Sequence, residues 1–386
     1  MERLKQAADQ TKIAIKLPPK WINKYGDFIT KNAGAVGQVE GALRSLTYII
    51  PGRFRESEIA SESLNSGVQL LSLYHDNLLS GAQAHSPQRR PQTAHNRYTR
   101  FYTQKSALYR RTAVSLQVVQ FTELLLEMMA KRRGEKARWR VVILLEAVKA
   151  LCRLILMRLT NSRPLLNPPL PEREAVEEKP APDEEALSSP TSEKTDFSLA
   201  GSERWTMPRT SLTLPPLPSS EDISSYLLSK VLTADDIKPP KALLHRVSGL
   251  GEAAEVLYIL RPVIYASALA YWSQRADGRG KADWRPWLLG LSIEYGARQL
   301  ASSDLETRRP GGARGLTQLE REELKKRGRG MAWWSMRGAF YENVTRGVIL
   351  GTAAKLKGKP ILDMVGGFVE DYDFLWDQYY FPTATL

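Results

Sequence analysis

Apolar positions recur at helical spacing along most of this chain. The stretch "VGQVEGALRSLTYII" places Val36, Val39, Leu43, Leu46 and Ile50 on one stripe, ended by Pro51-Gly52. Leu64, Val68, Leu71 and Leu78 repeat that period between Ile59 and Leu79. Two more helices are predicted over Thr112–Lys131 and Arg138–Leu159. In the second, Val142, Leu145, Val148, Cys152, Ile155 and Leu159 share a broad apolar face, with Arg138, Lys149, Arg153 and Arg158 along its margin. Such a helix suits a membrane interface, with its basic side chains among headgroups. The same spacing also suits the core of a soluble bundle. The longest apolar run is "AEVLYILRPVIYASALAYW", Ala254–Trp272, and Arg261-Pro262 interrupts it. No series of strands and turns stands out, so the pattern predicts an all-α fold.

Periodicity stops over residues 164–222, which hold 11 of the 23 prolines. The stretch also carries 12 acidic and 5 basic side chains, a local charge of −7. Proline removes backbone donors and clustered acids repel, so a disordered linker is expected there. It separates an N-terminal helical domain, 1–160, from a C-terminal helical, aromatic-rich domain, 223–386. Deleting Pro171–Pro218 is expected to leave both halves folded, because loop-closure entropy changes slowly with length.

Since the whole chain is +13, the remainder outside that stretch carries +20. Anionic partners follow, either lipid headgroups or nucleic acid. Arg110, Arg111, Lys131, Arg132, Arg133, Arg138 and Arg140 are the candidate basic surface. Aromatic rings interleaved with bases also suit single-stranded nucleic acid. Around Trp287, however, Leu288, Leu291 and Tyr295 are spaced as a buried helix face rather than a stacking platform. No nucleic-acid partner is therefore expected. In "GLTQLEREELKKRGRG", Thr317 and Glu320 make a capping box for a charged surface helix.

Catalytic patterns are missing from the sequence. There is one cysteine, Cys152, and the four histidines are scattered without metal-ligand spacing. No phosphate-binding loop, H-E-x-x-H or G-x-S-x-G occurs. "GLGEAA" matches a loose dinucleotide fingerprint but follows no predicted strand. Neither an enzyme nor a cofactor is expected.

Arg261 raises the main question. The seven Leu, Ile and Val residues of Ala254–Trp272 favour insertion by about 3 kcal/mol in sum, and a central arginine costs roughly as much. As a lone span it is marginal, and Arg138–Leu159 with four charges should not insert alone. Pro262 cannot donate to the Tyr258 carbonyl, so a kink is expected. Tyr258 and Tyr265 then lie on the side of Arg261, and Glu294 or Asp363 from a later helix is the expected counter-charge. The alternative is an arginine that runs out to solvent past the bend. Trp272 and Trp287 complete this packing and membrane set.

Several stretches together resemble the peroxin sixteen family of peroxisomal membrane biogenesis proteins. They are "YIIPGRFRESEIASE" with Gly52, Arg53 and Phe54, "LLSLYHDNLL", the central helix pair, "EVLYILRPVIYASALAYW", "WRPWLLG", "AFYENV" and "DFLWDQYYF". The longer linker and the insert "ADGRGKAD" resemble the fungal branch. The resemblance implies a membrane-associated helical bundle in two halves, without catalysis, at the peroxisomal and endoplasmic reticulum membranes. It implies docking and assembly of peroxisomal membrane proteins, with peroxin three and peroxin nineteen as partners. A peripheral lipid-binding protein that controls membrane shape or division is the alternative it leaves.

Overall fold

The computed structural model describes residues 20–49, 58–83, 93–173, 238–275, 282–308, 315–356 and 362–384. Gly52, Arg53 and Phe54, and the linker from residue 174 onward, lie outside them. Among the described residues there is no strand, and the all-α expectation holds. The N-terminal helices are α1 Lys20–Lys31, α2 Ala33–Ile49, α3 Glu58–Gln83, α4 Ala94–Lys105, α5 Ala107–Arg132 and α6 Glu135–Leu159. After the linker come α7 Leu250–Arg275, α8 Trp284–Arg308, α9 Gln318–Gly330, α10 Arg346–Leu356 and α11 Leu362–Gln378.

Local chemistry sets the boundaries. Thr93 caps α4 by accepting from the Asn96 amide. Ser106 both ends α4 and caps α5, accepting from the Tyr109 amide at 3.3 Å. Gly134 separates α5 from α6 at φ 122, a backbone region that side chains resist. The chain therefore reverses there and α5 packs along α6 as a hairpin. The capping box of α9 forms as its sequence predicts, Thr317 and Glu320 each bonding the other's amide.

Met1–Val176 and Pro240–Leu386 together form one compact unit, and Glu177–Pro239 is assigned to a second that lies almost wholly outside the described residues. Chain from before and after the linker meets in the cores. Tyr98, Tyr102, Tyr109 and Leu156 pack with Leu243, Leu244 and Leu319. Trp139, Val142 and Leu145 pack with Tyr265, Trp334, Tyr380 and Phe381. Ala150 and Met157 pack against Ile259.

The start of the linker needs correcting. Residues 164–173, which composition places inside it, are packed into the fold. Leu166 is buried, and the Pro169 carbonyl accepts from Tyr109 Oη at 3.1 Å. Glu172 N donates to Asn96 Oδ1 at 2.8 Å while Asn96 Nδ2 donates to the Glu172 carbonyl at 3.0 Å. Arg173 pairs with Asp76 at 2.6 Å and Glu40 at 3.1 Å. Proline-rich chain is disfavoured in helices, but its free carbonyls serve as acceptors for a neighbouring helix. Removing 177–218 should then leave the melting temperature within about 2 °C. Extending the cut back to Pro171 removes both hydrogen bonds between buried Asn96 and Glu172 and should cost roughly 2–4 kcal/mol. Thermal unfolding of the two deletions checks this, and equal melting temperatures would return 171–173 to the linker.

Candidate functional site: charged interior, apolar exterior

Helix α6 keeps Val142 and Leu145 of its expected apolar face inside but departs from expectation in its charges. Arg138, Glu146, Lys149 and Arg153 are buried, Lys149 at 0 % exposure, while Leu144 and Leu151 stand at 62 % and 58 % exposed. The sequence reading put Arg138, Lys149 and Arg153 at a solvated or headgroup margin; only Arg158 lies outside. The reason is spacing: 138, 142, 145, 149, 153 and 156 fall on one stripe of a 3.6-residue helix. Charged and apolar residues share that stripe, and it packs against α5 and α7.

Two of these buried charges meet partners on the neighbouring α5. Lys149 Nζ donates to Glu123 at 2.8 Å and to Glu146 at 3.1 Å. Arg138 Nε donates to Glu127 at 2.8 Å, and Glu127 is itself fully buried. The same carboxylate accepts the backbone amides of Tyr380, at 2.8 and 3.0 Å, and Phe381, at 3.1 Å. A segment just past α11 is thereby held on α5.

Arg261 behaves likewise. It is 2 % exposed, so the path to solvent is ruled out, and Nη1 pairs with Glu294 of α8 at 2.5 Å. Of the two carboxylates offered by the sequence, Glu294 takes the place. Arg298 reaches the other Glu294 oxygen at 2.7 Å, and Trp334 Nε1 donates to the carboxylate as well. Burial alone would raise the Glu294 carboxyl, but the Arg261 charge and the Trp334 and Arg298 hydrogen bonds outweigh it and hold the group below its usual range. Trp334 fits because residue 290 is glycine; a Cβ there would collide with the rings of Trp334 and Tyr265.

The other residues of this set fall into place around that pair. The Arg261 and Arg327 guanidinium groups lie over the Tyr258 ring at 4.7 and 4.6 Å. Arg327 binds both oxygens of Glu255, at 2.7 and 2.8 Å, and the Leu165 carbonyl at 2.9 Å. Tyr265 meets Trp334 edge-on at 5.2 Å, and Trp287 Nε1 donates to the Trp334 carbonyl at 2.9 Å. The Pro262 carbonyl accepts weakly from Tyr380 Oη at 3.5 Å, and α7 runs unbroken through the proline. Trp272 stands apart, its ring against Tyr271.

Of the basic surface residues, Arg110, Arg111, Arg132, Arg133 and Arg140 are exposed. Arg138 is not, and Lys131 is half-buried, donating to Gln378 Oε1 at 2.5 Å. Between Arg111 and Arg132, about 32 Å along α5, the exposed positions include Val118, Leu126 and Met129. That distance is close to the roughly 30 Å of a bilayer's hydrocarbon core. Helices α5 and α7 are long and apolar enough to cross a membrane. Helix α6, which its four charges were expected to keep from inserting alone, is not one of them. Leu288 and Tyr295 are also exposed, on α8. On α2 and α3 part of each stripe read from the sequence also faces outward, through Val39, Leu43, Leu46, Leu64 and Leu71, while Val68 is buried. Buried beneath them, His75 bonds Glu40 and Tyr25.

Charges turned inward under an apolar exterior are what a hydrocarbon environment favours. The family described as "Peroxisomal membrane protein (Pex16)" matches residues 23–378. The chain belongs to the Pex16 family. It is 22 % identical over 327 residues to the Schizosaccharomyces pombe "Peroxisomal membrane protein PEX16", covering 81 % of this chain and 83 % of that protein. To the Arabidopsis thaliana "Peroxisome biogenesis protein 16" it is 21 % identical over 372 residues, 88 % of this chain and 93 % of the relative. No solved structure matches. The Pex16 family match runs across both halves and the linker, and stops just short of Tyr380 and Phe381.

Proposed function

We propose that this chain is a membrane-embedded docking and assembly factor for peroxisomal membrane proteins. The observation that carries the reading is the inversion of α6, whose charges pair inside the bundle while Leu144, Val148 and Leu151 face out. Exposed leucines over a charged interior are unfavourable in water and favourable in lipid. Arg132, Arg133 and Arg140 at the tip of the α5–α6 hairpin would meet anionic headgroups, at about 1 kcal/mol each. The outward stripes of α2 and α3 supply a surface for other membrane proteins. The family resemblance names peroxin three and peroxin nineteen as such partners and adds the endoplasmic reticulum membrane as a second location.

Alkaline carbonate extraction tests the embedding. The natural chain should stay in the membrane pellet, and Leu144→Lys with Leu151→Lys should move it to the supernatant, since each lysine costs about 3 kcal/mol in hydrocarbon. Release of the natural chain would overturn the reading in favour of a peripheral lipid-binding protein that shapes or divides membranes. Leu43→Asp with Leu46→Asp should stay in the pellet yet fail to restore peroxisome formation in a null strain, because it alters only the docking stripe.

A further inference from the structure

One buried charge of α6 has no hydrogen bond at either end of its guanidinium fork. Arg153 of α6 is 6 % exposed, and neither Nη1 nor Nη2 makes a hydrogen bond among the described residues. Glu146 and Glu123 offset part of its charge, but the Nη donors have lost water without gaining a hydrogen bond, which is costly. Arg153 lines a cavity of about 570 Å³ between α5, α6, α7 and α9. That volume lies within the roughly 300–1,000 Å³ of small-molecule sites.

The lining has two chemistries. Leu116, Leu156, Leu165, Leu166 and Ile259 make apolar walls. Four cations, Arg153, Lys326, Arg327 and Arg329, face two carboxylates, Glu255 and Glu323, a surplus of two positive charges. Both carboxylates are taken by Arg327, at 2.7 Å and 3.4 Å. Arg153 is left at the deep end, with exposed Lys326, Arg329 and Trp333 at the surface end.

We propose that this cavity binds a phosphate group carried on an apolar chain, the headgroup of an anionic phospholipid. Arg153 is the inner anion contact, its planar fork suited to two phosphate oxygens. Lys326 and Arg329 hold the outer side, and the leucine walls take the first part of the chain. The apolar lining argues for a lipid over free phosphate, which would gain nothing from it. The site is independent of the docking role, since no residue of α2 or α3 lines it and it needs no partner protein.

The test uses the full chain purified in detergent, with phosphatidic acid, phosphatidylcholine or inorganic phosphate added in parallel, and reads the melting temperature and native mass. Phosphatidic acid should raise the melting temperature by several degrees and remain bound in the mass spectrum. Phosphatidylcholine and inorganic phosphate should do neither. Arg153→Met should melt within a few degrees of the natural chain without lipid, since Nη1 and Nη2 bond nothing and Lys149 still pairs with Glu123 and Glu146, and should lose the lipid shift. Arg329→Glu, at an exposed position, should keep the fold and weaken phosphatidic acid binding about tenfold. If inorganic phosphate gives the same shift, the anion site stands and its ligand is free phosphate. No shift with any anion overturns the proposal. So does an Arg153→Met chain destabilised equally with and without lipid, which would make Arg153 a structural partner of nearby Glu146.

Discussion

Arg261→Leu should melt roughly 5–10 °C below the natural chain in detergent, a loss of about 3 kcal/mol. Removing one member of a buried pair strands the other, and Glu294 would keep only Arg298 and Trp334. Glu294→Gln should lose a similar amount, and the double variant should lose clearly less than the sum. A coupling of at least about 1.5 kcal/mol is expected; additivity within about 0.5 kcal/mol would mean that the two do not act as a pair. The acid limb gives an independent reading. Because Glu294 is held below its usual value of 4.5, its contribution is present above that pH and is lost as the pH falls through the lowered value. Glu294→Gln should therefore show a flatter decline of stability below about pH 4.5. Leucine at 261 removes the charge that opposes insertion, so the variant should remain in the carbonate pellet while failing to restore peroxisome formation. Full rescue by Arg261→Leu would show that the pair is dispensable for function.

The second large effect is expected at Glu127. Glu127→Ala leaves the buried Arg138 without its main partner and the Tyr380 and Phe381 amides without their acceptor. A cost of about 3–5 kcal/mol follows. The effect should be local as well as global: protease cleavage and hydrogen exchange should rise first over residues 379–383, before α5 and α6 loosen. Glu127→Gln keeps one acceptor oxygen and should fall between. Uniform loosening of the whole bundle, with no lead at 379–383, would show that the clamp holds nothing in particular.

Much of the fold was legible in the chain, and the limits are physical. The long helices are read from 3.6-residue spacing, and the capping box at Thr317 from two residues. Glu294 was reachable as the partner of Arg261 because no acid in the same helix could turn to it. The facing of α6 was not legible. Both of its stripes carry leucine and valine, so periodicity identifies two apolar faces and cannot say which one meets the bundle. The charges at 138, 149 and 153 would have decided it only if lipid, not water, were assumed outside. Glu127 was missed because its partners are backbone amides from the far end of the chain, and an amide leaves no mark in a sequence. The packed segment 164–173 was missed because composition averages over a window, and ten ordered residues sat at the edge of a long acidic one.

The clamp between Glu127 and Tyr380 joins positions 253 residues apart. At about 5–20 residues per second on a ribosome, the carboxylate waits roughly 13–50 s for the amides that complete its shell. Throughout that interval α5 is already made, and Glu127 has at best Arg138 beside it. A hydrocarbon layer penalises an incompletely paired acid, so α5 cannot settle there in its final form as it leaves the ribosome. The bundle must close late, either after release or from a holding state in which water or a chaperone still covers Glu127. Birth order thus separates arrival at the membrane from completion of the fold.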